Sequence, residues 1–172
     1  MPVAPDHSTR KRLARSPWAA YAACAWAVVF ALMSFYWASG GRAALETLGT
    51  GFVGSDGQAP ADLITFTWIT GFLKLLAAGV ALALVQPWGR SAPRKLLLVG
   101  AWAAGGLFVL YALGNAVQHL LMLTGGLPVA RTIGTLEAVR WHLFFWDPLW
   151  LVGGVLFLAT ARYAGRQREA RA

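Results

Sequence analysis

The chain has 172 residues, 58% hydrophobic and only 13% charged, with a single cysteine and a formal net charge of +8. A soluble domain carries about twice that share of charge, and a disordered chain needs low hydrophobicity, so both classes are excluded. One cysteine excludes an internal disulfide framework and a cysteine-rich metal site.

Four apolar runs follow in order: Pro17 to Ala38, Leu63 to Val85, Leu96 to Leu123 and Trp141 to Ala161. A helix crosses a hydrocarbon core of about 30 Å with about 20 apolar residues, and each run is long enough. Alternating barrel-type segments are absent, so helices must satisfy the buried backbone. The expected fold is all-α, an integral-membrane four-helix bundle. Residues 17–162 form its single domain, between basic tails at 1–16 and 163–172.

Positive charge sets the expected orientation. Arg10, Lys11, Arg12 and Arg15 precede the first run. Arg90, Arg94 and Lys95 separate the second from the third. Arg162, Arg166, Arg168 and Arg171 follow the fourth. The other two connections mix Arg42, Arg131 and Arg140 with Glu46, Asp56, Asp62 and Glu137. Both termini are therefore expected in the cytoplasm of a plasma-membrane protein. Charge spread over three flanks of spans excludes a nucleic-acid site and suits contact with the lipid bilayer. The first run is longer than a signal-peptide core and has Phe35, Tyr36 and Trp37 at the would-be cut, so it reads as a retained helix.

The connection from Ser39 to Asp62 is Gly-rich, ends in Gln58-Ala59-Pro60 and reads as a loop with one turn near Ala43 to Leu48. The short stretch Gln86 to Arg94, with Pro87 and Pro93, reads as a helical hairpin turn.

Few polar residues interrupt the runs, and these define the candidate site. Lys74 lies near the membrane midplane, where an ionised amine costs at least about 2.5–3.5 kcal/mol, so it needs a partner facing the bundle interior. Asp147 is the expected partner, as a structural tie or as part of a functional site. Pro148 cannot donate to the carbonyl four residues back, so the fourth span either kinks or breaks with Asp147 as N-cap. Asn115, Gln118 and His119 share a face of the third span, although His119 by itself reads as reaching the headgroups. His142 stands at the start of the fourth. His119 and His142 with Asp147 or Glu137 form a weak metal pattern, and neither metal nor cofactor is assigned. Tyr36, Trp68 and Trp146 are expected as aromatic walls of a pocket. Cys24 reads as packing.

Two segments carry a resemblance: Tyr36-Trp37-Ala38-Ser39-Gly40-Gly41, and Arg140 to Gly154, RWHLFFWDPLWLVGG. They resemble a family of small four-span actinobacterial membrane proteins classed as domain of unknown function 3995. The family name implies no activity. The resemblance implies that Tyr36, Trp37, Trp146, Asp147 and Pro148 belong to one shared feature on the outer side.

The functional expectation is an outward-facing pocket for a small amphipathic or lipid-like molecule. The alternatives are a membrane enzyme using Asp147 with His119 or His142 for proton transfer, and an oligomeric transport or channel component. A homo-oligomer or a larger membrane complex also fits.

Overall fold

The structure, a computed structural model, describes residues 17–52, 59–131 and 133–169. The basic segment before Pro17, together with Asp56, Gln58 and Arg171, lies outside the described residues. The described residues are mostly helical and include no strand. Helix α1 spans Trp18–Ala38, α2 Ala61–Ala83 and α3 Arg94–Leu123. Helix α4, Leu136–Trp141, runs through a π turn at His142–Trp146 into α5, Asp147–Glu169. Counting that composite as one, four helices are long and apolar enough to cross a membrane. Helix α5 continues well past Ala161, so much of the expected C-terminal tail is helical.

Small residues decide how the helices meet. Ala23, Ala27 and Ala31 recur every four residues on α1 and are completely buried, a spacing that stacks them on one face. Alanine is also the strongest helix former. Without a hydrophobic drive between helices in lipid, such small seams let backbones approach and gain dispersion contacts. On the facing helix, Gly71 leaves room for the Phe35 ring; a Cβ there would sit 2.5 Å from it. Helix α3 approaches α5 through Gly105 and Gly154. A Cβ on Gly154 would fall 2.8 Å from the Val109 nitrogen and 3.0 Å from the Gly105 oxygen. Gly153 seats the Trp26 ring, whose Nε1–H donates to the Leu149 carbonyl at 2.9 Å. Long apolar side chains such as Phe66, Leu76, Leu110 and Phe144 point outward and are exposed, the surface expected of a lipid-facing bundle.

The bundle has two unlike ends. At the hairpin end, a 3-10 turn at Pro87–Ser91 joins α2 to α3. There Leu84, Ala101, Ala161 and Ala164 close a small apolar cluster. Gln86 donates to the Tyr21 hydroxyl at 3.0 Å, and Arg94 donates to the Ala164 carbonyl at 3.0 Å. At the opposite end, residues 43–52 fold back as two 3-10 turns, Leu45–Leu48 and Thr50–Phe52. These cover the helix ends as a lid, with Leu45 buried beneath.

The fourth span neither breaks nor simply kinks. Asp147 is not an N-cap: its φ of −64° and ψ of −46° are helical, and its N–H donates to the His142 carbonyl, five residues back. A regular helix would drive the Pro148 ring into the Phe144 carbonyl. The widened turn takes up one extra residue and removes that clash, as π-bulges do, often at functional sites.

Candidate functional site

Under the lid lies a cavity of about 160 Å³, bordered by α1, α2, α3, the π turn and the start of α5. Its apolar wall includes Phe30, Met33, Trp37, Leu48, Ile64 and Trp150. Its polar lining is Ser34, Thr67, Thr70, Lys74, Tyr111, His142 and Asp147. The two hairpin partners α2 and α3 meet near the hairpin, where a Cβ on Gly100 would touch Val80 at 3.6 Å. Further toward the lid, Phe66 and Tyr111 border the cavity from these helices and are both exposed. These two side chains are thus shared between the cavity lining and the outer, lipid-facing surface.

The expected Lys74–Asp147 ion pair does not form. Lys74 Nζ donates to Ser34 Oγ at 2.7 Å and stands 5.5 Å from the Trp150 ring centroid. Asp147 instead pairs with His119, Oδ2 to Nδ1 at 2.7 Å, with both side chains buried. No other contact between a basic side chain and a carboxylate within 4.0 Å occurs among the described residues. His119 is the closer partner because it projects from α3, against which α5 packs through the glycine contacts described above. Lys74 belongs to α2, on the far side of the cavity. The headgroup reading of His119 fails for the same reason: the ring is 4% exposed.

His142 stacks on His119, with ring centroids 4.8 Å apart and planes inclined by 28°. Its Nε2–H donates to the Leu48 carbonyl of the lid at 2.9 Å. With Nε2 occupied as donor, neutral His142 keeps an acceptor at Nδ1. By the same logic, His119 donating from Nδ1 keeps Nε2 free. Each imidazole is thus oriented by an oxygen acceptor, a polarity that suits proton transfer and metal ligation alike. The donor atoms of His119, His142 and Asp147 lie within 4.8 Å of one another. Two nitrogens on one zinc can be at most about 4.2 Å apart, since each bond is about 2.1 Å. As it stands the trio is a hydrogen-bonded dyad with a stacked neighbour; it would have to contract to hold an ion.

The lid is tied to the same π turn. Trp146 Nε1–H donates to Thr47 Oγ1 at 3.1 Å, and Trp37 Nε1–H donates to the Ala43 carbonyl at 2.9 Å. The Tyr36 hydroxyl accepts from the Ala43 N–H at 3.2 Å. Its ring covers Gly41, where a Cβ would lie 2.4 Å away, and Gly40 turns the chain with φ +91°. Across the lid, Thr50 N–H donates to the Ile133 carbonyl at 3.2 Å. The Tyr36–Gly41 segment therefore reverses the chain and anchors the lid.

Of the residues expected in the pocket, Lys74, His142, Trp146 and Asp147 line the cavity. His119 stands behind Asp147. Tyr36 is a lid anchor, and Trp68 packs on Phe35 and Phe72 with its face partly exposed. Asn115 is half-buried and Gln118 exposed, and neither borders the cavity. Sequence reasoning missed Ser34 and the lid residues Thr47 and Leu48. A serine in an otherwise apolar stretch is the one signal that could have flagged Ser34. Nothing local distinguishes Thr47 or Leu48, because their role comes from a fold-back onto α4 and the π turn.

A family model described as Protein of unknown function (DUF3995) matches residues 27–157, and the chain belongs to that family. Both the Tyr36–Gly41 and the Arg140–Gly154 segments fall within the match. No curated protein and no solved structure matches the chain.

Proposed function

We propose that the protein binds a small amphipathic molecule within the membrane, in the cavity beneath the lid. One observation carries the reading: an amine from α2 and a carboxylate from α5 open into one aromatic-walled space without pairing with each other. Ligand sites combine a mostly apolar lining with a few converging polar groups, and this cavity does so. A cavity of about 160 Å³ takes a benzene-sized group, since an engineered apolar void of about 150 Å³ does. A longer molecule fits with its polar end inside and its tail passing the exposed side chains of Phe66 and Tyr111. Arg90, Arg94 and Lys95 at the hairpin end support cytoplasmic termini in a plasma membrane, which turns the lid outward.

The test is native mass spectrometry of protein extracted directly into lipid nanodiscs. A stoichiometric adduct is expected in the wild type and lost in Ser34→Phe, which fills the cavity. A bare protein mass in the wild type overturns the reading.

The Asp147–His119 contact favours a second reading, proton transfer to or from the bound molecule. Asp147 and His142 both reach the cavity, and His119 would hold the carboxylate in place. Here Asp147→Asn abolishes conversion of the bound molecule while the helical circular-dichroism signal is unchanged. Conversion that survives this substitution removes the enzymatic reading and leaves the binding one.

A further inference from the structure

We infer that the molecule held in the cavity carries one negative charge, a carboxylate, placed against Lys74. This deepens the binding reading and rests on it.

The charge follows from what lies within contact distance of the Lys74 ammonium and from which of its donors are taken. Lys74 is the fourteenth residue of α2, so it lies about 20 Å along the helix from Ala61, deep in the apolar span. It has no carboxylate within ion-pair distance among the described residues, because the cavity's own carboxylate is engaged by His119. Its ammonium has three N–H donors. Ser34 Oγ accepts one, and the Trp150 face offers a weak electrostatic contact at 5.5 Å. The Ser34 hydroxyl, itself 2% exposed, gives one of its two lone pairs to the amine. The amine makes no second hydrogen bond among the described residues, and Lys74 lines the cavity. A buried cation is costly unless it is matched and hydrogen-bonded, and the space beside it is hollow.

The match has to be single. One ammonium balances one negative charge, and a dianionic phosphomonoester would bring a second, unmatched charge into low dielectric beside the Asp147 carboxylate. Tyr111, which shares the lining with Lys74, supplies a hydroxyl that can donate to a carboxylate's remaining lone pairs; the Thr70 hydroxyl donates to the Thr67 carbonyl at 3.0 Å. The aromatic and aliphatic wall then takes the first carbons of a tail, and the rest passes the exposed side chains of Phe66 and Tyr111 toward lipid. A narrow monoacid with an alkyl or isoprenoid tail meets all of these conditions.

The experiment uses matched probes on the full chain in nanodiscs, each with its bromine on the part of the tail the cavity would hold: 6-bromododecanoate, 6-bromododecanol and 6-bromododecyl phosphate. Bromine quenches the fluorescence of tryptophans lining the cavity, Trp37, Trp146 and Trp150. The expected result is that the carboxylate binds at least about tenfold more tightly than the alcohol, and that Lys74→Met abolishes this preference. The wild-type comparison stands alone if Lys74→Met fails to fold. Equal quenching by acid and alcohol overturns the charge assignment but leaves the pocket. Tighter binding of the phosphate overturns the carboxylate assignment. Quenching by none of the three, or quenching unchanged when Ser34→Phe fills the cavity, overturns the pocket itself.

Discussion

The lid end and the hairpin end of this bundle are built from the same four spans but solve different packing problems. At the hairpin end the helices close on the apolar cluster of Leu84, Ala101, Ala161 and Ala164, and the polar contacts, Gln86 to Tyr21 and Arg94 to the Ala164 carbonyl, lie at its margin. The one buried hydroxyl on that half of α5, Thr160, bonds the Leu156 carbonyl of its own helix at 2.8 Å. At the lid end bulky rings hold the helices apart, and the polar groups find partners on other helices: Lys74 with Ser34, Asp147 with His119, His142 with the lid. Small residues bring helices together, and the space left at that end is a polar hollow around Arg90 and Arg94 rather than an interior between the spans. Large rings with interhelical polar contacts leave a cavity whose shape depends on each of those contacts.

The sharpest way to break this contrast is to remove one partner from each end. His119→Leu leaves the Asp147 carboxylate buried and unmatched, which should cost about 3–5 kcal/mol. The double substitution His119→Leu with Asp147→Leu should recover much of it. Thr160→Val removes only a local bond and keeps the volume, so a loss below about 1 kcal/mol is expected. Reversible denaturation in detergent, read by helical circular dichroism, compares the three. Similar losses for His119→Leu and Thr160→Val would end the distinction between the two halves.

Between the ends, glycines set the helix spacing, and they are not equivalent. Gly154→Ala pushes a methyl group against backbone atoms of α3, an overpacking that costs about 1–3 kcal/mol. Gly79→Ala meets nothing within 4 Å and should stabilise by about 0.5–1 kcal/mol through helix propensity. Opposite signs in the same unfolding assay are the expected outcome. A gain at both positions would mean that α3 and α5 do not touch at Gly154.

The lid should respond more weakly. Thr47→Ala leaves Trp146 in place and removes the acceptor of its indole N–H, a bond worth about 0.5–1.5 kcal/mol. Local opening follows that energy rather than the global one. Hydrogen exchange of the 43–52 amides should therefore accelerate by about 2- to 13-fold, the same energy expressed as a ratio, while the hairpin end stays unchanged. Uniform acceleration over the whole chain would count against a lid that opens separately.

How much of this was legible in the sequence divides along the same line. The spans follow from hydropathy and length, because lipid forces every backbone group into a helix. The glycine and alanine contacts follow from residue size. Lys74 and Asp147 are conspicuous because a charge in that setting demands a reason. Their actual partners were not legible. Which helix face meets which neighbour depends on rotation and tilt, and a serine on α1 competes with a carboxylate on α5 without any local sign of the outcome. Tyr36 and Trp37 were visible as a motif, but the motif records a chain reversal, and only the folded loop shows what it anchors.

The π turn is the clearest case, and it supplies the smallest stability effect with the largest change in geometry. In a regular helix, residues five apart point about 140° away from each other. His142 and Asp147 are five apart, yet both line the cavity, because the turn between them is widened. A reading at 3.6 residues per turn would place one of them outside. Pro148 is the reason: it makes the regular hydrogen bond to Phe144 impossible, so the wider turn costs little. Pro148→Ala restores an N–H that can donate to Phe144, and the segment should relax toward a regular helix at a net stability change below about 1 kcal/mol. That relaxation rotates α4 by about 100° relative to α5, the angle of one residue. His142 should leave the Leu48 carbonyl and Trp146 should leave Thr47. The histidine imidazole resonances in labelled protein should then shift while the unfolding midpoint hardly moves. Retention of the wild-type His142 environment in Pro148→Ala would mean that lid and cavity contacts, not the proline, hold the turn open.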